Sequence, residues 1–327
     1  MTTIFHEQDG GVAARAEQSV AVVGYGNQGR SWALNLRDSG LDVHVCVRAD
    51  DTRERAEADG FATEDVEAAD RADVICILVP DDVIPLLPVK GSDRALTVLA
   101  SGYNFAFDRF APSGDLGMIA PRMLGPEVRK CYEEGVGFIT AIGVHRDVTG
   151  SAQSSLLGLA RALGGLRQGA IELTATQEAV LDLAVEQALS PALTHVNNAF
   201  VQVMSEHGIP MEAIITELVL SGEVERTYGL LRKEGFAVQM DHHSPTSQYG
   251  QLSRRGAYAH LDVLSKMREL TDDIASGRFA DEWDAERDSG HARLRSLKEQ
   301  HCGPAVQEYE AALRRELGEA SIGTGAR

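Results

Sequence analysis

Val20-Ala-Val-Val-Gly24-Tyr25-Gly26-Asn27-Gln28-Gly29 decides the fold of the first half of this 327-residue chain. A short β-branched run feeds a Gly-x-Gly-x-x-Gly turn. The helical stretch Arg30–Asp38 follows, and a second strand-like run starts at Val43. The glycine spacing alone is weak evidence. Between a strand and a helix it allows a tight turn and a close approach of backbone to a pyrophosphate, whose charge meets the helix N-terminus. Gly24, Tyr25, Gly26, Asn27, Gln28 and Gly29 are therefore the candidate dinucleotide-binding residues. The second run ends at Val47, before Arg48-Ala-Asp50-Asp51-Thr-Arg53. An acid here can bond the ribose hydroxyls of NAD and would repel the extra phosphate of NADP, which an arginine could instead hold. Asp50 and Asp51 favour NAD over NADP, while Arg48 and Arg53 pull the other way. An aspartate at this point is equally natural as a helix N-cap.

Outward from this motif, apolar runs recur at Val20–Val23, Val43–Val47, Val74–Val79, Leu96–Ala100, Met118–Ala120 and Phe138–Val144, with helical stretches between several of them. Near-continuous apolar strands alternating with helices predict a parallel sheet covered on both faces. From about residue 174 the strand runs vanish and helical periods continue to Glu316, broken at Gly208-Ile-Pro210 and Asp241–Gly250. The expected architecture is an α/β Rossmann-type N-terminal domain, residues 1–174, and an all-α C-terminal domain, residues 175–327. The tail Ile322–Arg327 is expected to be disordered.

Composition narrows the function classes. Net charge is −18, from 49 acids against 31 Lys and Arg, which argues against a nucleic-acid partner. No apolar run approaches the roughly 20 residues of a membrane span, and the N-terminus lacks the basic start and apolar stretch of a signal peptide. These features predict a cytoplasmic protein with no membrane partner. Cys46, Cys76, Cys131 and Cys302 show no CxxC spacing and read as buried free thiols in a reducing compartment.

Val180-Leu-Asp182-Leu-Ala-Val-Glu186-Gln-Ala-Leu189 carries two acids one turn apart. Residues at i,i+4 share a helix face, where like charges repel. The surrounding Val, Leu and Ala predict a buried helix, and bare carboxylates there would be costly. A divalent cation would resolve the conflict; so would Arg or Lys from elsewhere, or a solvated face. His242-His243 are adjacent and rarely could aim at one ion, so they read as loop residues. His145 and His195 read as structural or hydrogen-bonding, and Arg278 and Trp283 as packing for the last helices. Tyr103 and Asn104 follow a strand whose C-terminal end should face the nicotinamide.

The chain resembles the short-form ketol-acid reductoisomerase family over nearly its whole length. The likeness rests on Val22-Val-Gly-Tyr-Gly-Asn-Gln-Gly29 with Ala33-Leu-Asn-Leu-Arg-Asp-Ser-Gly40, and on Glu134-Gly-Val-Gly137 with Val144-His-Arg-Asp147. It continues in Asp182-Leu-Ala-Val-Glu-Gln187 and Ile274-Ala-Ser-Gly-Arg-Phe-Ala-Asp-Glu-Trp283. The resemblance implies two Mg2+ ions and a reduced nicotinamide acting on a small hydroxy/keto acid. An alkyl group migrates in a 2-hydroxy-2-alkyl-3-keto acid, and the new ketone is then reduced, the metals serving as Lewis acids. It places metal carboxylates on Asp182 and Glu186, the first acid of a later pair on Glu217, and a substrate-binding serine on Ser244. It also implies a knotted helical domain and an obligate homodimer or larger homo-oligomer, in which one chain supplies the Asp182/Glu186 side and the other the Glu217/Ser244 side.

Three positions depart from the family's pattern. Its histidine after the fourth strand is Ser101, its lysine in Ala-Pro-Lys is Arg122, and the second acid of its later pair is Ser221. Arginine keeps the charge of lysine but does not readily release a proton. With Glu217 and Ser244, these three complete the candidate catalytic set. Polar residues replacing polar residues predict an active but divergent enzyme, of the kind recruited into specialised metabolism, acting on an acid other than acetolactate. The alternatives are a genuine reductoisomerase of branched-chain amino-acid biosynthesis, a non-catalytic nucleotide-binding homologue, and a metal-free hydroxyacid or imine dehydrogenase.

Overall fold

The computed structural model describes residues 2–11 and 18–317, so the tail expected to be disordered lies outside the described residues. The chain divides into two compact units: Met1–Leu183 with Ile274–Asp284, and Ala184–Asp273 with Ala285–Arg327.

The first unit holds β1 (Ile4–Phe5), β2 (Ser19–Val23), β3 (Asp42–Cys46), β4 (Ala62–Glu64), β5 (Val74–Ile77), β6 (Leu96–Leu99), β7 (Asp115–Pro121), β8 (Thr140–Arg146) and β9 (Ala170–Glu172). They form one sheet in the order β1-β9-β8-β7-β6-β5-β2-β3-β4. Helices α1 (Asn27–Asp38), α2 (Asp51–Ala58), α3 (Tyr103–Ala106), α4 (Gly125–Glu133), α5 (Ala152–Leu163) and α6 (Ala175–Ala184) belong with it. Alternation along β2 divides the core. Val20 and Val22 pack with Trp32 and Leu36 on one face, and Ala21 and Val23 with Ile75, Ile77 and Phe105 on the other. Burial on both faces is why these strands read as unbroken apolar runs.

The expected parallel sheet is in fact mixed. Strands β7, β6, β5, β2, β3 and β4 run parallel, but β8 is antiparallel to β7 and β1 to β9. Apolar patterning does not report the direction of a strand, so the reversal at β8 was not anticipated. The short β1, β4 and β9 escaped the sequence reading because two or three residues cannot display a period.

In the second unit a π-helical turn, Val185–Leu189, leads into α7 (Ser190–Glu206). After α8 (Met211–Ile215) a second π-helical turn covers Thr216–Leu220. There follow α9 (Glu223–Met240), α10 (Pro245–Arg254), α11 (Val263–Ala275), α12 (Arg278–Asp288), α13 (Ala292–His301) and α14 (Pro304–Leu317). The end of α11 and the start of α12, Ile274–Asp284, belong to the first unit, within which Arg109 pairs with Asp281 and Asp284. Among the described residues α7 buries none of its side chains. Leu181, Val185 and Leu189 are 53%, 45% and 43% exposed. The expectation that the Asp182/Glu186 helix is buried is therefore wrong: among the described residues its apolar side chains are left half exposed. Cys46 and Cys76 are buried free thiols, as expected, whereas Cys131 is half-buried and Cys302 exposed, which corrects that expectation for these two.

Candidate functional site

Strand order reverses at β2, whose neighbours are β5 and β3, and in such sheets ligands bind beyond the strand C-termini at this point. The Gly24–Gly29 loop leaves β2 there. Gly24 has φ +93° and lies so close to the chain after β5 that a Cβ would stand 2.6 Å from Val79. A Cβ on Gly29 would stand 2.2 Å from the Gly24 carbonyl oxygen. Gly26 differs: nothing lies within 4 Å of where its Cβ would be, and it begins α1 without a side-chain cap. A loop closed by its first and third glycines and open at the second, with helix N–H groups beyond it, fits a pyrophosphate.

Tyr25 and Gln28 turn their side chains away from this role. Tyr25 is 1% exposed; its ring meets Phe61 edge-on and its hydroxyl donates to Asp59 at 2.8 Å. Gln28 Nε2 donates to the Met123 carbonyl at 3.2 Å. Both contribute main chain to the loop. Tyr25→Phe is accordingly expected to cost about 1 kcal/mol of stability and to leave dinucleotide affinity unchanged, as urea unfolding and cofactor titration would show.

At the ribose end, Asp50 caps α2, accepting from the Thr52 N–H at 3.0 Å, and lies 3.6 Å from Arg48. The N-cap reading of Asp50 thus holds, and Asp51 opens the helix. Arg53 is committed to the Val47 and Glu64 carbonyls and to Asp65, whereas Arg48 is 87% exposed.

A second group gathers where parallel β5, β6 and β7 end. Ser101 Oγ donates to Asp81 Oδ1 at 3.1 Å. Asn104, fully buried, donates from Nδ2 to the same oxygen at 3.0 Å and to the Asp81 carbonyl at 3.2 Å. Burial pushes the Asp81 carboxyl up to about 6, against the pull of these two donors and with help from Glu178 and Asp182. Beside it Arg122 donates to Glu178 at 2.7 Å and to Asp182. Glu178 is 1% exposed and accepts the Gly102 N–H at 2.6 Å. Burial pushes its carboxyl upward too, and the Gly102 and Arg122 donors oppose that shift. Gly102 is required here because a Cβ would stand 2.2 Å from the Ala175 carbonyl oxygen. The first turn of α6 is thereby seated on the loop after β6.

Ser101, Arg122 and Asp182 are brought together. Glu186 and Glu217 each stand on a π-helical turn, exposed to solvent. Such turns occur often at functional sites. Ser221 Oγ accepts the Glu223 N–H at 3.3 Å, and Ser244 caps α10, accepting from Ser247. Carboxylates are the donors Mg2+ takes, so Asp182 and Glu186 fit such an ion chemically, although a guanidinium already holds one Asp182 oxygen. Among the described residues no three His, Cys, Asp or Glu side chains converge on a ready-made cation site. His242 pairs with Glu234 and His243 with Gln239, and His145 stacks on Phe105 at 5.0 Å. His195 lines an open groove with Glu186, Ser190, Thr194 and Asn198.

Asp81 and Glu178 were missed from sequence. Glu178-x3-Asp182-x3-Glu186 is a stripe of three acids at one-turn spacing, legible had the pair been extended backward. Asp81 follows a strand in Pro80-Asp-Asp82, the position where sheet ligands bind.

A glycine-closed loop at the reversal of a Rossmann sheet, next to ionisable groups on the neighbouring strand ends, defines a nicotinamide-dependent oxidoreductase. Residues 15–169 match the family described as acetohydroxy acid isomeroreductase, NADPH-binding domain. Residues 176–319 match ketol-acid reductoisomerase, C-terminal domain. The chain belongs to the ketol-acid reductoisomerase family, whose members are NAD(P)-dependent oxidoreductase-isomerases. It is 34% identical to ketol-acid reductoisomerase (NADP(+)) of Methanocaldococcus jannaschii, covering 97% of this chain and 99% of that one. The counterpart in Methanopyrus kandleri is 32% identical over the same shares. A solved NADH-preferring ketol-acid reductoisomerase from an uncultured archean superposes with a TM-score of 0.87 at 28% identity, covering 96% of this chain and 98% of that one. No helix among the described residues is long and apolar enough to cross a membrane.

Proposed function

We propose that this chain is a divergent reductoisomerase, dependent on Mg2+ and a reduced nicotinamide, that rearranges and reduces a small 2-hydroxy-3-keto acid other than 2-acetolactate. The Arg122–Glu178–Asp182 group carries this reading. A residue that departs from the family is built into the site by two ion pairs, which is retuning and not decay. Asp182 and Glu186, with Glu217, would hold the metal; when bound it would polarise the ketol oxygens and steady an alkoxide. Arg122 keeps its charge throughout turnover and fixes the α6 acids, a positional role that suits a group unable to release its proton. Ser101 offers a hydroxyl at the strand end, and the Gly24–Gly29 loop holds the dinucleotide. NADH is the preferred donor, because Arg53 is engaged elsewhere, Asp50 offsets Arg48, and Asp51 adds charge that would repel a ribose phosphate. A homodimer or larger assembly is the working form. Leu193, Val196, Phe200 and Val203 on α7 are 40–59% exposed, apolar surface of a kind that marks association.

The reading of an ordinary branched-chain reductoisomerase draws on the full-length similarity to enzymes of that name. Assays of purified protein with 2-acetolactate and larger 2-hydroxy-2-alkyl-3-keto acids, with NADH or NADPH and with or without Mg2+, separate the two. The expected result is Mg2+-dependent turnover, faster with NADH and fastest on an acid other than 2-acetolactate. Best turnover of 2-acetolactate with NADPH would restore the ordinary reading. No turnover of any of these acids would remove both.

A further inference from the structure

We propose that Asp81 is the proton-holding partner of Ser101, a positioning residue through which that hydroxyl takes a proton from the substrate and returns it. The inference deepens the functional reading above and rests on it. Strands β5 and β6 are parallel and paired in register as far as Ile77 and Leu99. Asp81, four residues beyond one, thereby meets Ser101, two beyond the other, at 3.1 Å. The remaining geometry fixes the pair. Asn104 donates twice to Asp81, and the Tyr103 N–H donates to Ser101 Oγ at 3.3 Å, leaving the hydroxyl proton directed at the carboxylate.

The charged groups around Asp81 are Asp82 in its own loop, Glu178 and Asp182 from α6, and Arg122 at the end of β7, which pairs with both α6 acids. The two α6 acids and the loss of water both favour the protonated carboxyl. A serine hydroxyl alone is too weak a base near neutrality; a carboxylate behind it supplies the acceptor. The substrate hydroxyl passes its proton to Ser101 Oγ as the Ser101 proton moves to Asp81 Oδ1. The products are a neutral carboxyl, an unchanged serine and a substrate alkoxide. Protonation of the rearranged alkoxide reverses both transfers, so the pair starts and ends the rearrangement in the same state.

Two measurements on the intact protein test this, one of them independent of turnover. A carboxyl that titrates near 6 in the fold and near 3.8 when unfolded binds its proton more tightly in the native state. Its contribution to stability is then full below pH 4 and is lost as pH rises through 6. The ratio of wild-type to Asp81→Asn unfolding constants should therefore rise by up to about a hundredfold between pH 4 and 6.5. Ser101→Ala, which removes a donor to the carboxylate, should move that transition to higher pH.

In Mg2+-dependent assays on whichever acid the wild type turns over, kcat should fall on the acid side near pH 6. Asp81→Asn should lower kcat and abolish that limb with little change in KM, and Asp81→Glu should restore it in part. A ratio flat between pH 4 and 6.5, or an Asp81→Asn enzyme with the wild-type kcat and pH profile, would overturn the proposal. A wild type inactive on every acid would count against the functional reading alone; the unfolding series with Ser101→Ala would still decide whether the two residues share the proton.

Discussion

Replacement of Asp182 by asparagine is expected to lower Mg2+-dependent turnover by about 10²–10³-fold, the loss typical when one electrostatic contact to a developing charge is removed. The fold should survive. The Asp182 side chain is 41% exposed, and Arg122 keeps its pair with buried Glu178. Calorimetric titration with Mg2+ should show affinity weakened by at least about tenfold. Arg122→Lys is the informative companion. Arginine offers a planar fork that serves Glu178 and Asp182 together, whereas lysine is a compact point charge on a flexible stem. Lysine should release Asp182 more readily and tighten Mg2+ binding. Unchanged Mg2+ affinity in both variants would take Asp182 out of the metal site and leave it as the outer half of an ion-pair clamp.

What could be read in the sequence beforehand follows from which features are local. The Gly24–Gly29 turn is local: closure at Gly24 and Gly29 and openness at Gly26 follow from spacing along one stretch of chain. The placement of Ser101 and Arg122 at strand ends was legible for the same reason, since each directly follows an apolar run. The Asp81–Ser101 pair was not. It depends on β5 and β6 being neighbours in a given register, which neither run specifies alone. The antiparallel β8 was not legible either, since an apolar run reads the same in both strand directions. Burial of the Asp182/Glu186 helix was misjudged because composition reports that a face is apolar and not what covers it.

Glu178→Ala should be strongly destabilising. The carboxylate is 1% exposed and joins the Gly102 N–H to the Arg122 guanidinium. Removing it leaves the Gly102 N–H without its acceptor and takes one of two carboxylates from Arg122, which keeps Asp182, at a cost of about 2–3 kcal/mol. The first turn of α6 would lose its seat on the loop after β6, and Asp182 with it, so turnover should fall along with stability. Glu178→Gln is the milder companion: Gly102 donates to one carboxylate oxygen and Arg122 to the other, so the single amide oxygen can keep one of these two contacts. The sign of its pH dependence follows from burial. The carboxyl is held above its ordinary value in the fold, so the wild type is favoured at low pH and loses that advantage as the group ionises. The stability difference should thus move in favour of glutamine as pH rises past the ordinary glutamate range. Chemical denaturation of wild type, Gln and Ala variants across that range would show it. An alanine variant as stable as wild type would mean that Arg122 finds enough in Asp182 alone, and the clamp would then have no part in holding α6.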